Sequence, residues 1–155
     1  MTKAARSYDV PLAILYSVGL TETGRSGTLD PYAMNVDGRA VHSASLEEAL
    51  TRFDVAVAHG AKLIDIGCMQ INQFWHARDF ASVRDMFDIS RNVDYAARFL
   101  RTLRASEGSW TGAVARYNAG PSNQPAQRAY VCAVIGNMVQ SGVGAWTPRA
   151  RAFCQ

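Results

Sequence analysis

Apolar residues recur at helical spacing over Pro11 to Gly24, PLAILYSVGLTETG, where Pro11, Leu15, Val18 and Glu22 share one stripe with Ile14 beside them. This predicts a helix starting at about Pro11, whose fixed φ suits a first helical position, and ending at Gly24. The glycine-rich segment Arg25 to Asp30 reads as a loop. Tyr32 to Val36 and Arg39 to Val41 then flank Asp37-Gly38, the strongest short hairpin signal in the chain. Ser45 with Glu48 forms a capping box, so a second helix is predicted from about Leu46 to His59, stopped by Gly60, with Leu46, Ala49, Leu50, Phe53 and Val57 on its buried face.

Leu63 to Ile66 reads as a third strand, and a helical turn is expected from Met69. From Ser82 onward the pattern is helical. A short helix spans Ser82 to Phe87, and a longer one Asn92 to Ala105, with Val93, Ala96, Ala97, Leu100 and Leu103 facing inward before Gly108. Ser109 caps a helix over Trp110 to Tyr117 that Asn118-Ala-Gly-Pro121 stops, and a last helix runs from about Pro125 to Gly142. The tail AWTPRARAFCQ reads as irregular. The pattern as a whole predicts a single domain, residues 1–155, predominantly helical with one small strand region.

Composition fits that reading: 155 residues, 48% hydrophobic and 19% charged, suffice for one core and describe an ordinary globular chain. No apolar run approaches the roughly 20 residues that a membrane span requires. The net charge of +3 is mildly basic, and without a basic run interleaved with aromatics it does not argue for nucleic acid. The start MTKAARSYDV has no apolar stretch of signal-peptide type. Cys68, Cys132 and Cys154 lack the spacing of a metal site. Cys132 and Cys154 could pin the tail to the last helix through a disulfide, which implies an oxidising compartment, or all three could be buried thiols; Cys68 is expected to stay free.

The apolar stripe ends in a carboxyl group, that of Glu22. Desolvation and the negative end of the helix dipole both oppose ionisation there, and an acid kept protonated near neutral pH suits general acid catalysis. The alternative is a solvated carboxylate with Gly24 as C-cap. Gln70 and Asn72 lie among Ile66, Met69, Ile71 and Phe74, so their amides need partners from backbone or ligand.

Glu22-Thr23-Gly24 closing an apolar helix, then Gly67-Cys68-Met69-Gln70-Ile71-Asn72, then Tyr117-Asn118-Ala119-Gly120-Pro121, resemble in order and separation the soluble lytic transglycosylases, relatives of goose-type lysozyme. Asn92 with Ala96, Ala97 and Leu100 resembles the family's intervening helix. The resemblance covers about Val10 to Tyr130 and implies an α+β, predominantly α-helical, lysozyme-like fold with a small antiparallel β region. It implies cleavage of the β-1,4 bond between N-acetylmuramic acid and N-acetylglucosamine in peptidoglycan, with formation of a 1,6-anhydro end. No metal or organic cofactor is implied.

Carried over residue by residue, Glu22 matches the catalytic acid and Thr23 the small hydroxyl residue after it. Met69 and Gln70 match the pair lining the cleft, and Tyr117 the phenol that positions the acid. Asn118 and Gly120 match the sugar-binding loop that Pro121 stiffens, and Tyr130 a tyrosine lining the same groove. Cys68 departs from the family's common leucine and as a small hydrophobe preserves packing. The family usually lacks a second catalytic carboxylate, which ordinary glycosidases need. Asp30 and Asp37 are explained by their loop and turn; Asp65 is either structural or, in a hydrolytic variant, a group that orients water. The alternatives are therefore a muramidase acting on the same bond and a non-catalytic peptidoglycan-binding assembly module. The expected setting is periplasmic or secreted, reached through a precursor's leader or a dedicated secretion machine. The expected state is monomeric, and the expected partners are a glycan strand and a flagellar or secretion-system protein.

Overall fold

The structure, a computed structural model, describes all residues except Ser26 and Pro121. It is predominantly helical with a small antiparallel sheet, as the pattern predicts. By internal contacts the chain forms two compact units, Met1–Thr21 with Tyr95–Gln155, and Glu22–Asp94.

The second unit begins at the end of helix α2 (Leu12–Thr23). Strands β1 (Gly24–Arg25) and β2 (Thr28–Leu29) pair antiparallel there, where a loop was expected. Gly27, at φ +79°, supplies the left-handed turn that lets so short a segment fold back. β3 (Met34–Val36) and β4 (Arg39–Val41) form the expected hairpin, with both Asp37 and Gly38 at positive φ, the geometry of a two-residue turn matched to strand twist. The Asp37 carboxylate also accepts from the Leu63 amide at 2.9 Å. Helix α3 (Leu46–Ala58) has the Ser45 hydroxyl accepting from the Glu48 amide, while the Glu48 carboxylate accepts from the Ala44 amide at 2.8 Å. Its end is a Schellman motif: the Gly60 amide donates to Val57, and that of Ala61 to Ala56.

β5 (Ile64–Ile66) pairs with β3, and β6 (Ile71–Asn72) with β5, giving the strand order β4-β3-β5-β6. The helical turn expected from Met69 is thus a tight turn followed by a strand. Gly67 and Gln70 both take positive φ and return Ile71 and Asn72 against Ile66 and Asp65. Helix begins only at α4 (Gln73–His76), capped by Asn72, and a 3-10 turn and α5 (Val83–Phe87) follow. Met34, Ile64, Ile66, Met69, Met86 and Phe87 are fully buried core of this unit.

The first unit opens with α1 (Thr2–Ser7), which the sequence pattern did not reveal. α6 (Ile89–Glu107) starts earlier than expected because the Asp88 carboxylate accepts from the Arg91 amide, and it crosses from one unit to the other at Asp94/Tyr95. α7 (Trp110–Asn118) and α8 (Gln124–Gln140) are capped by Ser109 and Asn123. The tail is not irregular: Pro148–Cys154 is a helix, α9, with the Thr147 hydroxyl accepting from the Ala150 amide and proline at its start. A Cys132–Cys154 disulfide ties it to α8, and Cys68 is the free, buried cysteine.

Candidate active site

Glu22 is the penultimate residue of α2 and is half-buried. The helix supporting it is buried on more than one side, with Leu15, Ser17 and Val18 all fully buried, so its buried surface is wider than the single stripe read from the sequence. Its last turn is held from both directions. The Asn137 side-chain amide of α8 donates to the Thr21 hydroxyl at 2.9 Å, and that hydroxyl donates to the Ser17 carbonyl at 2.8 Å. On the other side of Glu22 the Thr23 hydroxyl donates to the Cys68 carbonyl at 2.9 Å and accepts from the Asp30 amide at 3.4 Å. Thr23 is only 7% exposed, so it fixes the helix end to the turn between β5 and β6.

That turn is Gly67 to Gln70, and Asn92 organises it. Fully buried, Asn92 donates through Nδ2 to the carbonyls of Ile66 and Met86, both at 2.9 Å, and accepts through Oδ1 from the Met69 amide at 2.9 Å and the Cys68 thiol at 3.4 Å. A short turn must leave backbone groups without ladder partners, and one buried amide satisfies them. Met69 is fully buried, so its side chain supports the turn from beneath and offers no open surface to a sugar. Gln70 is half-buried; its Nε2 donates to the carbonyls of Gly67 at 2.9 Å and Ala33 at 3.3 Å, which fixes the amide with Oε1 as the remaining acceptor. The partners the structure gives this amide are thus backbone carbonyls.

Asp65, in β5 just before the turn, is half-buried and accepts from the Asn72 side-chain amide at 2.7 Å. Burial raises its pKa, against a smaller lowering by the Asn72 hydrogen bond. Burial also pushes the Cys68 thiol up to about 11.

The motif residues of the first unit lie on α7, on α8 and in the connection between these helices. Tyr117, half-buried near the end of α7, stacks at a tilt on Phe99 of α6 with ring centroids 5.7 Å apart, and Phe99 stacks in turn on Tyr95 at 6.1 Å. Asn118 ends the helix with an exposed side chain, and Gly120 is also exposed. From α8 the Gln127 side-chain amide donates to the Gly120 carbonyl at 2.7 Å, bracing this connection. Pro121 lies outside the described residues. Tyr130 is only 8% exposed and sits in the core face of α8.

The geometry thus groups Glu22, Thr23 and the Gly67–Gln70 turn within one unit, and Tyr117, Asn118, Gly120 and Tyr130 within the other. The bracing residues Asn92, Asn137 and Gln127 were not assigned from the sequence. Asn92 did carry a signal, because it precedes Val93, Ala96 and Leu100 on one buried face, where a polar residue needs partners.

The fold is a mostly helical, lysozyme-like α+β fold with a small antiparallel sheet. The family model described as the transglycosylase SLT domain matches residues 1–134, and the chain belongs to this family, whose substrate is peptidoglycan. No curated protein and no solved structure matches the chain.

Proposed function

We propose that this chain is a peptidoglycan lytic transglycosylase with Glu22 as its single acid and base. Protonated Glu22 donates its proton to the glycosidic oxygen as the bond to C1 of N-acetylmuramic acid breaks. The resulting carboxylate then takes the proton of the C6 hydroxyl while that oxygen bonds to C1. The products are a 1,6-anhydro end and a free hydroxyl on the departing sugar, with no water consumed. The substrate's own N-acetyl group stabilises the positive charge at C1, so no second carboxylate is required.

The observation that carries this reading is the tie from Thr23, next to Glu22, to the Cys68 carbonyl within the Gly67–Gln70 turn. It couples the acid's helix end to the motif that presents Gln70. Gln70 then accepts from a sugar hydroxyl or N-acetyl N–H through Oε1. The thiol chemistry suits a compartment outside the cytoplasm, since Cys132 and Cys154 are oxidised. Purified peptidoglycan incubated with wild type and with Glu22→Gln tests the assignment: only wild type releases soluble fragments, and full activity in the variant would overturn it.

Asp65 favours a second reading. Its support is a half-buried carboxyl in the strand entering the turn, with a pKa raised by burial; if that carboxyl orients a water, the protein is a muramidase that leaves reducing ends. Local wall opening for a flagellar or secretion apparatus, as a periplasmic or secreted monomer, is the setting that fits a chain with this domain.

A further inference from the structure

The two units differ sharply in charge. Met1–Thr21 with Tyr95–Gln155 carries nine basic residues against two acids, Asp9 and Glu107, whereas Glu22–Asp94 carries seven against eleven. Within the basic unit a groove of about 710 Å³ opens at the first turn of α2, the end of that helix opposite Glu22. Arg6, Arg101 and Arg104 line it together with Asp9, Leu12 and Trp110. Its volume falls in the range of small-molecule sites, and it combines three guanidinium groups with an apolar wall on which Leu12 is 43% exposed. The Arg104 guanidinium lies 5.9 Å from the centre of the Trp110 ring, the arrangement of a cation held over an aromatic face.

One carboxylate already stands in this groove. Asp9 ends α1 in a Schellman motif: its amide donates to Arg6, the Val10 amide donates to Ala5, and Asp9 itself takes φ +52°. That left-handed conformation costs a non-glycine residue stability, and it leaves the Asp9 side chain 91% exposed, with an oxygen 3.6 Å from Nη1 of Arg101. So loose and exposed a pair contributes little by itself. Asp9 is in the position of a carboxylate that a better-fitting one can displace.

We propose that this groove binds the peptide stems of peptidoglycan through their carboxylates, as an anchoring site separate from Glu22. Stem peptides carry carboxylates on D-glutamate, diaminopimelate and terminal D-alanine, spaced along short aliphatic chains. The arginines take the carboxylates, forked guanidinium to planar carboxylate, and the exposed Leu12 side chain takes the methylenes and methyls. The site would hold the protein on the wall between cleavages. The inference rests on peptidoglycan being the substrate, but not on how the glycosidic bond is broken.

The test is calorimetric titration of the full chain with the N-acetylated stem tetrapeptide, which contains no glycosidic bond, alongside the same peptide with its carboxylates amidated and alongside inorganic polyphosphate. Asp9→Asn removes the competing carboxylate while keeping a residue that tolerates positive φ, so it should tighten binding several-fold. Arg101→Glu with Arg104→Glu should weaken it by about tenfold or more, and amidation should do the same. Circular dichroism establishes that each variant is folded. Equal binding of the amidated peptide, no gain in Asp9→Asn, or polyphosphate binding tighter than the peptide would overturn the proposal. Cleavage of peptide-free glycan chains, measured in parallel, reports on Glu22 alone, so failure of either reading is visible without the other.

Discussion

A Cβ atom on Gly67 would lie 2.7 Å from Nδ2 of Asn92, the nitrogen that holds the carbonyls of Ile66 and Met86. Gly67 is therefore required twice, by its φ of +78° and by the space Asn92 occupies. Gly67→Ala should cost about 2 kcal/mol of stability, from left-handed strain together with displacement of the amide. Asn92→Ala should cost about 3 kcal/mol, because it removes buried hydrogen bonds to the Met69 amide and to the carbonyls of Ile66 and Met86. Urea denaturation checks both, and losses below about 0.5 kcal/mol, typical of surface sites, would contradict the placement of Asn92 at the centre of the turn.

The three cysteines should behave in two ways. Burial pushes the Cys68 thiol up to about 11, so almost none of it is thiolate at neutral pH. Native protein should give no prompt reaction with a thiol reagent at pH 7.5, and denatured protein should give one thiol per chain; prompt native labelling would show Cys68 to be accessible. The Cys132–Cys154 bridge closes a span of 22 residues, and by loop-closure entropy Cys154→Ser should lower stability by about 3 kcal/mol.

Helices with a periodic apolar face and a side-chain cap are legible in the sequence, as α3 and α7 show, because period and capping are written in neighbouring residues. The β3–β4 turn was legible for the same reason. Segments set by distant partners were not. Ile71–Asn72 is a strand because Asp65 and Ile66 pair with it, β1–β2 exists as a two-residue pairing, and α9 is pinned by a disulfide to α8. The site divides likewise: Glu22, Gln70 and Tyr117 stand out by type and order, whereas Asn92 reaches Met69 across 23 residues, and Asn137 reaches Thr21 across 116. Burial also separates residues the motifs group together, since Met69 and Tyr130 support from within while Asn118 and Gly120 are exposed.

Asp65 gives a pH dependence with a definite sign. Its folded pKa is raised by burial, so its favourable contribution is complete below the ordinary value of 3.8 and is lost as pH rises through the raised value. Above that raised value the ionised, half-buried carboxylate opposes folding. Asp65→Asn keeps an oxygen for the Asn72 amide, so the variant should melt higher than wild type at pH 7.5 and the gap should close toward pH 3.5. A gap independent of pH, or a variant less stable at pH 7.5, would contradict the assignment.

The central claim, that Glu22 shuttles a proton from the C6 hydroxyl to the departing sugar's oxygen and needs no water, is tested most directly by mass spectrometry of the muropeptides released from purified peptidoglycan. The account predicts anhydromuropeptides from wild type and none from Glu22→Gln. Reducing muropeptides, heavier by one water, would contradict it and move the water-directing role to Asp65.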